Sequence, residues 1–382
     1  SISVSSTKGS TGHCMGGASA VEAVIAIEAL RRRVRPPSVG LDTQDDAVPV
    51  RVVAEAETHR LHHVLSVGLG FGGNNAVLAL GHPDAESSVR ERPSRPVYVR
   101  PGAAMVAELR GVDAVVAGDP LETRSDFDPK AVLGKKGLRH VDRGALLFAA
   151  AMELARSATP EVPPERLGAC VGGAFPVYSS IVAILRAVQR GGPRSVPPML
   201  VPFATVNCAS SWWLMREGVT GYNGCPVSGE CAALHAVAWA EEQVASENVD
   251  AVFAGATEGY SSELWEGLGR ELVEGAAGVW VAASADGARA RLVSSAFAFD
   301  RSSPHDAFLR ASEPFVRVAS RAFVAGGEGL AIPCESVEFD GLSVSAAVAL
   351  LRALERIEPG EQILVASGSR EGFAAALLIE GV

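Results

Sequence analysis

Aromatic residues are scarce, at 6% of 382 positions, and the six cysteines show neither a Cys-x-x-Cys pair nor Cys/His ligand spacing. That pattern indicates neither a zinc site nor a disulfide framework, and reduced thiols fit a cytoplasmic setting. Cations are in deficit: 34 Lys and Arg stand against 44 Asp and Glu, a net charge of −10 that argues against a general nucleic-acid surface. No apolar run is long enough to cross a membrane, and no signal-peptide pattern is read. What the chain does have is small and apolar. Forty glycines and 48% hydrophobic residues predict an α/β protein with close helix–sheet packing and one large or two medium cores.

The most informative stretch is Lys8-Gly-Ser-Thr-Gly-His13, followed by a small-residue run, Gly16-Gly17-Ala18-Ser19-Ala20, that opens an apolar helix over 18–33. A lysine and a histidine five apart, with glycines between them, form a tight loop that can hold both side chains in one pocket. An imidazole so placed can donate or accept a proton near neutral pH, and the cation can tune it. The plainer alternative is a glycine-rich turn with a surface lysine and a capping histidine. The residues alone leave both open.

Ser3 to His13, then Gly17-Ala-Ser-Ala-Val-Glu-Ala23, closely resemble the second catalytic-histidine segment of β-ketoacyl synthases. The resemblance continues through Ala29-Leu30-Arg31, the Arg35-Pro36-Pro37 helix exit, and Gly70-Phe71-Gly72-Gly73-Asn74-Asn75, which is similar to that family's Gly-Phe-Gly-Gly-Thr-Asn loop. The resemblance implies a thiolase-like, layered αβαβα fold. It implies that His13 is one of two catalytic histidines and Lys8 the lysine that orders the site. It makes Phe71 the gatekeeper, with a backbone N–H in the oxyanion hole, and Gly70 and Gly72 substrate-binding backbone. Residue 1 falls inside such a domain, after the family's nucleophilic cysteine and first histidine. Those groups are therefore expected from a polypeptide or segment carrying the ketosynthase N-terminal half.

Residues 81–96 hold three prolines and many charges and read as a linker, in which Gly81-His82-Pro83 only superficially matches a thiolase motif. Domains are thus expected at 1–80 and 97–382. Short strands are expected at 2–5, 50–54, 62–67 and 114–117, and helices at 145–155, 202–217 and 231–247. From 274 onward the pattern of strands, a helix at 343–354 and a closing hairpin repeats that of residues 1–80, so the chain holds one partial and one near-complete copy of a fold.

In the second copy, Gly221-Tyr222-Asn223 and Val227-Ser228-Gly229-Glu230-Cys231 resemble the family's turn and nucleophile elbow, with Glu230 in the nucleophile's place. A carboxylate cannot carry an acyl chain as a thioester. Residues 332–337, aligned with the histidine motif, contain neither Lys nor His. The second copy therefore resembles a chain-length factor, the inactive partner of a ketosynthase in a heterodimer. Cys231 one residue on is the rival nucleophile, since one step along a helix turns the side chain by about 100° and only one of the two can enter the pocket. Cys208 reads as a core thiol and Trp212-Trp213 as interface packing. Arg31-Arg32-Arg33-Arg35 either complements a helix C-terminus or docks an acidic acyl carrier protein. The implied reaction is decarboxylative Claisen condensation on that carrier, with no cofactor beyond the carrier's phosphopantetheine arm. A non-catalytic scaffold that binds carrier or a partner synthase is the alternative.

Overall fold

In the computed structural model, which describes residues 2–70, 75–85 and 94–382, the chain divides into two units, Ser1–Glu91 and Arg92–Val382. The first contains β1 (Ser3–Val4), the one-turn helix α1 (Lys8–Thr11), α2 (Ala18–Arg32), β2 (Val34–Arg35), β3 (Arg51–Val52), β4 (Glu57–Thr58), β5 (His63–Leu69) and β6 (Asn75–Gly81). Helix α2 ends where Arg33 turns left-handed (φ 55°) and returns its N–H to the carbonyls of Ala29 and Leu30. Strands β5 and β6 form an antiparallel hairpin, and α2 packs on it. Gly68 makes that approach possible: a Cβ there would lie 2.4 Å from Ser19 Oγ. The strand expected to be buried at 2–5 is short and half exposed, because its sole neighbour is the two-residue β3.

The second unit runs β7 (Tyr98–Val106), β8 (Leu109–Arg110), α3 (Val112–Ala117), α4 (Pro129–Leu133), α5 (Arg143–Leu154), β9 (Leu167–Gly172), α6 (Tyr178–Gly191), α7 (Cys208–Glu217), β10 (Asn223–Gly224), α8 (Ala232–Ala245) and β11 (Ala251–Glu258). It continues through α9 (Ser262–Leu268), β12 (Gly275–Ala282), β13 (Ala290–Phe299), α10 (Pro304–Val316), β14 (Arg321–Ala325), β15 (Cys334–Ser336), α11 (Ser343–Arg356), β16 (Gln362–Gly368) and β17 (Phe373–Gly381).

The strands form two half-sheets. One is ordered β10-β9-β11-β12-β7 and the other β13-β17-β16-β14-β15; they join through two residue pairs, Ala290 with Val99 and Arg291 with Tyr98. Helices α8 and α11 touch each other and both half-sheets, so they form a central layer. Helix α5 covers the outer face of the first half-sheet and α10 that of the second. Three apolar clusters fill the spaces between these layers. This is the expected layered αβαβα arrangement. Helix α11 is buried from Ser343 to Leu354 and accordingly apolar or small almost all round. Strands β9, β11 and β12 are buried on both faces and read as unbroken runs of small and apolar residues.

Several local expectations are corrected. Residues 114–117 lie in helix α3, which starts after Gly111 and stops at Gly118, and not in a strand. The helix expected over 202–217 breaks into a 3₁₀ segment, Pro198–Ala204, and α7, since Pro202 has no N–H with which to extend an α-helical ladder. Trp213 is 5% exposed, edge-on to Phe148 in the outer core, and is not interface packing.

Leu351 lies wholly buried in the central layer. Leu351→Ala is expected to lower the unfolding free energy by about 2–5 kcal/mol, read as a shift of the urea midpoint at unchanged slope.

Candidate active site

The Lys8–His13 loop of the first unit is ordered from both ends. Lys8 is ion-paired with Glu22, one turn into α2, which ties the start of the loop to the helix. Gly12 (φ 72°) stops α1 and turns the chain toward His13. The His13 ring is exposed, and its Nδ1 accepts the Met15 backbone N–H at 3.1 Å. An Nδ1 that accepts places the neutral ring's proton on Nε2, so an N–H donor points away from the loop. Glu22 sits in the Val-Glu-Ala run of the sequence motif, yet nothing in the spacing alone singled it out. Gly70 is exposed directly after β5; Phe71 and Gly72 lie outside the described residues. The arginines closing α2 already have carboxylate neighbours: Arg31 and Arg32 pair with Glu28, Arg33 with Asp84 and Arg35 with Glu57.

In the second unit the elbow lies at the N-terminus of α8. Gly172 of β9 lets it come close, since a Cβ there would stand 2.8 Å from Ala232 Cβ. Glu230, not Cys231, faces the cavity. The Glu230 carboxylate accepts from Arg270 Nη2 at 2.9 Å and from the backbone N–H of Arg370 at 3.1 Å. Arg270 Nη1 also binds Asp340 at 2.6 Å, so one guanidinium bridges two acids. Arg370 lies in the turn between β16 and β17.

Cys231 points away and is fully buried. Its thiol donates to the carbonyls of Ser367 and Phe373, each at 3.2 Å, and burial pushes its pKa up to about 12. A thiol so placed yields neither a thiolate nor a path for substrate, which removes Cys231 as a self-sufficient nucleophile. Cys208 is likewise buried, with its pKa raised to about 12 by burial first and the Asp142 charge second.

The cavity beside Glu230 measures about 410 Å³, and Arg270, His305, Phe308, Asp340 and Arg370 contribute to its walls. No residue from 332 to 337 brings a histidine or lysine to it; its histidine comes from α10. Behind the elbow, His235 Nδ1 meets Ser228 Oγ and its ring lies 4.4 Å from that of Phe297. Burial lowers the His235 pKa to about 4, so the ring is neutral at pH 7. Glu258, at the end of β11, is buried and accepts from the Ala174 and Phe175 N–H groups and from Ser343 Oγ. Desolvation is the largest influence and raises its pKa to about 7.

Among the described residues no cluster of three or more His, Cys, Asp or Glu side chains could hold a metal ion, and no helix is long and apolar enough to cross a membrane.

Residues 1–42 match the β-ketoacyl synthase, C-terminal domain. The chain is similar to 3-oxoacyl-[acyl-carrier-protein] synthase 2 of Coxiella burnetii, with 40% identity over 80 residues, 21% of this chain and 19% of that protein. The chain thus spans about a fifth of the length of that curated relative. Among solved structures, the ishigamide ketosynthase/chain length factor superposes with a TM-score of 0.65 at 20% identity, over 75% of this chain and 99% of that one. The PfaC keto synthase-chain length factor superposes with a TM-score of 0.60 at 13% identity, over 93% of this chain and 51% of that one. At these identities the two structures show the fold that is shared.

Two outcomes follow from the geometry. With an alkylating reagent on the native protein, exposed Cys14 and Cys334 are expected to react while Cys231 reacts only in denaturant, as peptide mass mapping would show. The second concerns Glu258. The folded state holds this carboxyl protonated to a higher pH than the unfolded chain does, so its contribution to stability is full below the ordinary glutamate range and is lost as pH rises through about 7. Glu258→Gln is expected to flatten the fall in unfolding free energy between pH 5 and 8 by about 2–3 kcal/mol. An unchanged slope in that variant would show that other groups set it.

Proposed function

We propose that this chain, a member of the β-ketoacyl synthases of the thiolase superfamily, works in a ketosynthase/chain-length-factor assembly that elongates acyl chains by decarboxylative condensation on an acyl carrier protein. In this reading the first unit supplies the histidine and gate-loop part of the reacting site, and the second is the silent partner that limits product length. The observation that carries it is the contrast between the two copies. His13 stands exposed with Nε2–H free to donate, whereas Glu230 is locked onto Arg270 and the Arg370 N–H.

The chemistry is a thiolate-bound acyl group attacked by the carbanion equivalent that forms when a malonyl thioester loses carbon dioxide. The new carbon–carbon bond forms as the acyl–sulfur bond breaks, and the thiolate leaves. Decarboxylation builds negative charge on the malonyl thioester oxygen. An Nε2–H donor is the group that stabilises charge there, and a neutral imidazole does so without losing its proton to solvent. Lys8, paired with Glu22, stands at the start of the loop. The thiolate and a second histidine come from a ketosynthase segment outside residues 1–382.

The pairing half of the reading is supported by α6, which leaves Ile181 and Leu185 exposed one turn apart beside exposed Met199 and Val201. An apolar stripe of this kind fits a protein partner better than water. The two functions separate by mutation. His13→Ala is expected to reduce condensation by at least 100-fold in an assay with acyl- and malonyl-carrier protein and the complementary ketosynthase segment, while Glu230→Ala leaves the condensation rate within about threefold. Equal loss from both would overturn the division of labour. Loss from neither would favour the scaffold reading.

A further inference from the structure

At the foot of the Lys8–His13 loop, one serine closes a circuit of hydrogen bonds. Strand β1 ends its ladder at Val4, whose carbonyl accepts the Val53 N–H at 2.9 Å. The Val53 carbonyl accepts the Ser38 N–H at 2.7 Å, and Ser38 Oγ accepts the Ser6 N–H at 3.0 Å. Ser6 lies beyond the strand and has no ladder partner, so the hydroxyl answers an N–H that the sheet leaves over. Ser38 is 7% exposed, and water does not compete freely for it. From Ser6 the placement passes straight to the imidazole. The Thr7 carbonyl accepts from Ser10 and Thr11, the Lys8 carbonyl from Gly12, and His13 follows.

The Ser38 segment also seats the loop from below. Residues Ser38-Val39-Gly40-Leu41 form a turn closed by the Leu41 N–H on the Ser38 carbonyl at 3.1 Å, with Gly40 left-handed at its third position (φ 88°). That leaves the Val39 carbonyl outside the turn's own bond, and Gly9 of α1 rests against it. A Cβ at Gly9 would lie 2.1 Å from that oxygen. Pro36 and Pro37, their φ fixed by the rings, lead from β2 into this turn. Helix α2 therefore governs the loop from both ends: Glu22 near its start holds Lys8, and the turn beyond its end seats Ser6 and Gly9.

We propose that Ser38 is a positioning residue for His13. Its hydroxyl fixes where the chain leaves β1, and so keeps His13 Nδ1 on the Met15 N–H with Nε2–H directed outward. The catalytic consequence rests on the reading of His13 as a reacting group of a condensing site; the placement itself does not.

Diethyl pyrocarbonate acylates the ring nitrogen that carries no proton, which in the placed loop is Nδ1, already engaged by Met15. Ser38→Ala is expected to raise the rate of His13 acylation about fivefold near neutral pH, read by peptide mass mapping, and to mix the two neutral tautomers in the ring's nitrogen NMR signals. Exposed His59 of the same unit is expected to keep its rate. Ser38→Thr, which retains the hydroxyl, is expected to restore the His13 rate, and Gly9→Ala to reproduce the Ser38→Ala signature. An unchanged His13 rate in Ser38→Ala, or one that Ser38→Thr does not restore, overturns the proposal. So does equal acceleration at His59, because the unit has then loosened as a whole. With the complementary ketosynthase segment added, Ser38→Ala is expected to lower kcat about tenfold at unchanged KM for malonyl-carrier protein. A changed His13 rate with undiminished condensation, or with none even in the wild-type chain, keeps Ser38 as a positioning residue and rejects the proposed function.

Discussion

The second unit depends on burying two helices completely between two half-sheets. A helix satisfies its own backbone hydrogen bonds, so α8 and α11 can sit in the middle of the protein provided their side chains are apolar or small. Alanine, leucine and valine meet that condition, and glycines such as Gly172 let the strands approach. Because both helices run into one cavity at their N-terminal ends, the ends gain a common environment: low dielectric behind, backbone N–H groups ahead. The central layer is therefore what makes a thiolase-type site possible, whatever residue stands at the elbow.

At this elbow the residue is Glu230, and the consequences are electrostatic. A half-buried carboxylate near a helix terminus needs partners, and it has two: a bridging guanidinium and a loop N–H. The bridge to Asp340 gives the cluster two acids for one arginine, and the remaining negative charge lies at the cavity's edge. Such a cluster holds the β16–β17 turn to the start of α8. In the first unit the ion pair that fixes the local geometry is Lys8 with Glu22. Each copy thus uses a charge pair to hold a loop.

Much of this was legible in the sequence where local chemistry decided the outcome. The helix at 18–33 and the closing hairpin at the C-terminus follow directly from periodicity and small residues. Strand β7 is absent from the expected strands, and Pro101 lies inside it; the missing proline N–H falls where the ladder with β12 shifts register between Gly278 and Val279. Helix α3 was misread because Val115 and Val116 favour strands, while Gly111 and Gly118 bound a helical turn that packs on β7. The partners of Glu230 were out of reach for a different reason. Arg270 and Arg370 stand 40 and 140 positions away, and nothing local marks them as neighbours of the elbow. The choice between Glu230 and Cys231 likewise needed the backbone, since it turns on which of two adjacent side chains faces the β16–β17 turn.

The Arg270 bridge ties the identity of residue 230 to its surroundings. A cysteine at position 230 would break that tie. It would leave Arg270 shared with Asp340 alone, the N–H of Arg370 without its carboxylate, and residues 332–337 still lacking a histidine. Such a change leaves a half-buried guanidinium and a backbone N–H each with one acceptor fewer. The residue at the elbow is therefore set as much by Arg270, Asp340 and the β16–β17 turn as by anything local to α8.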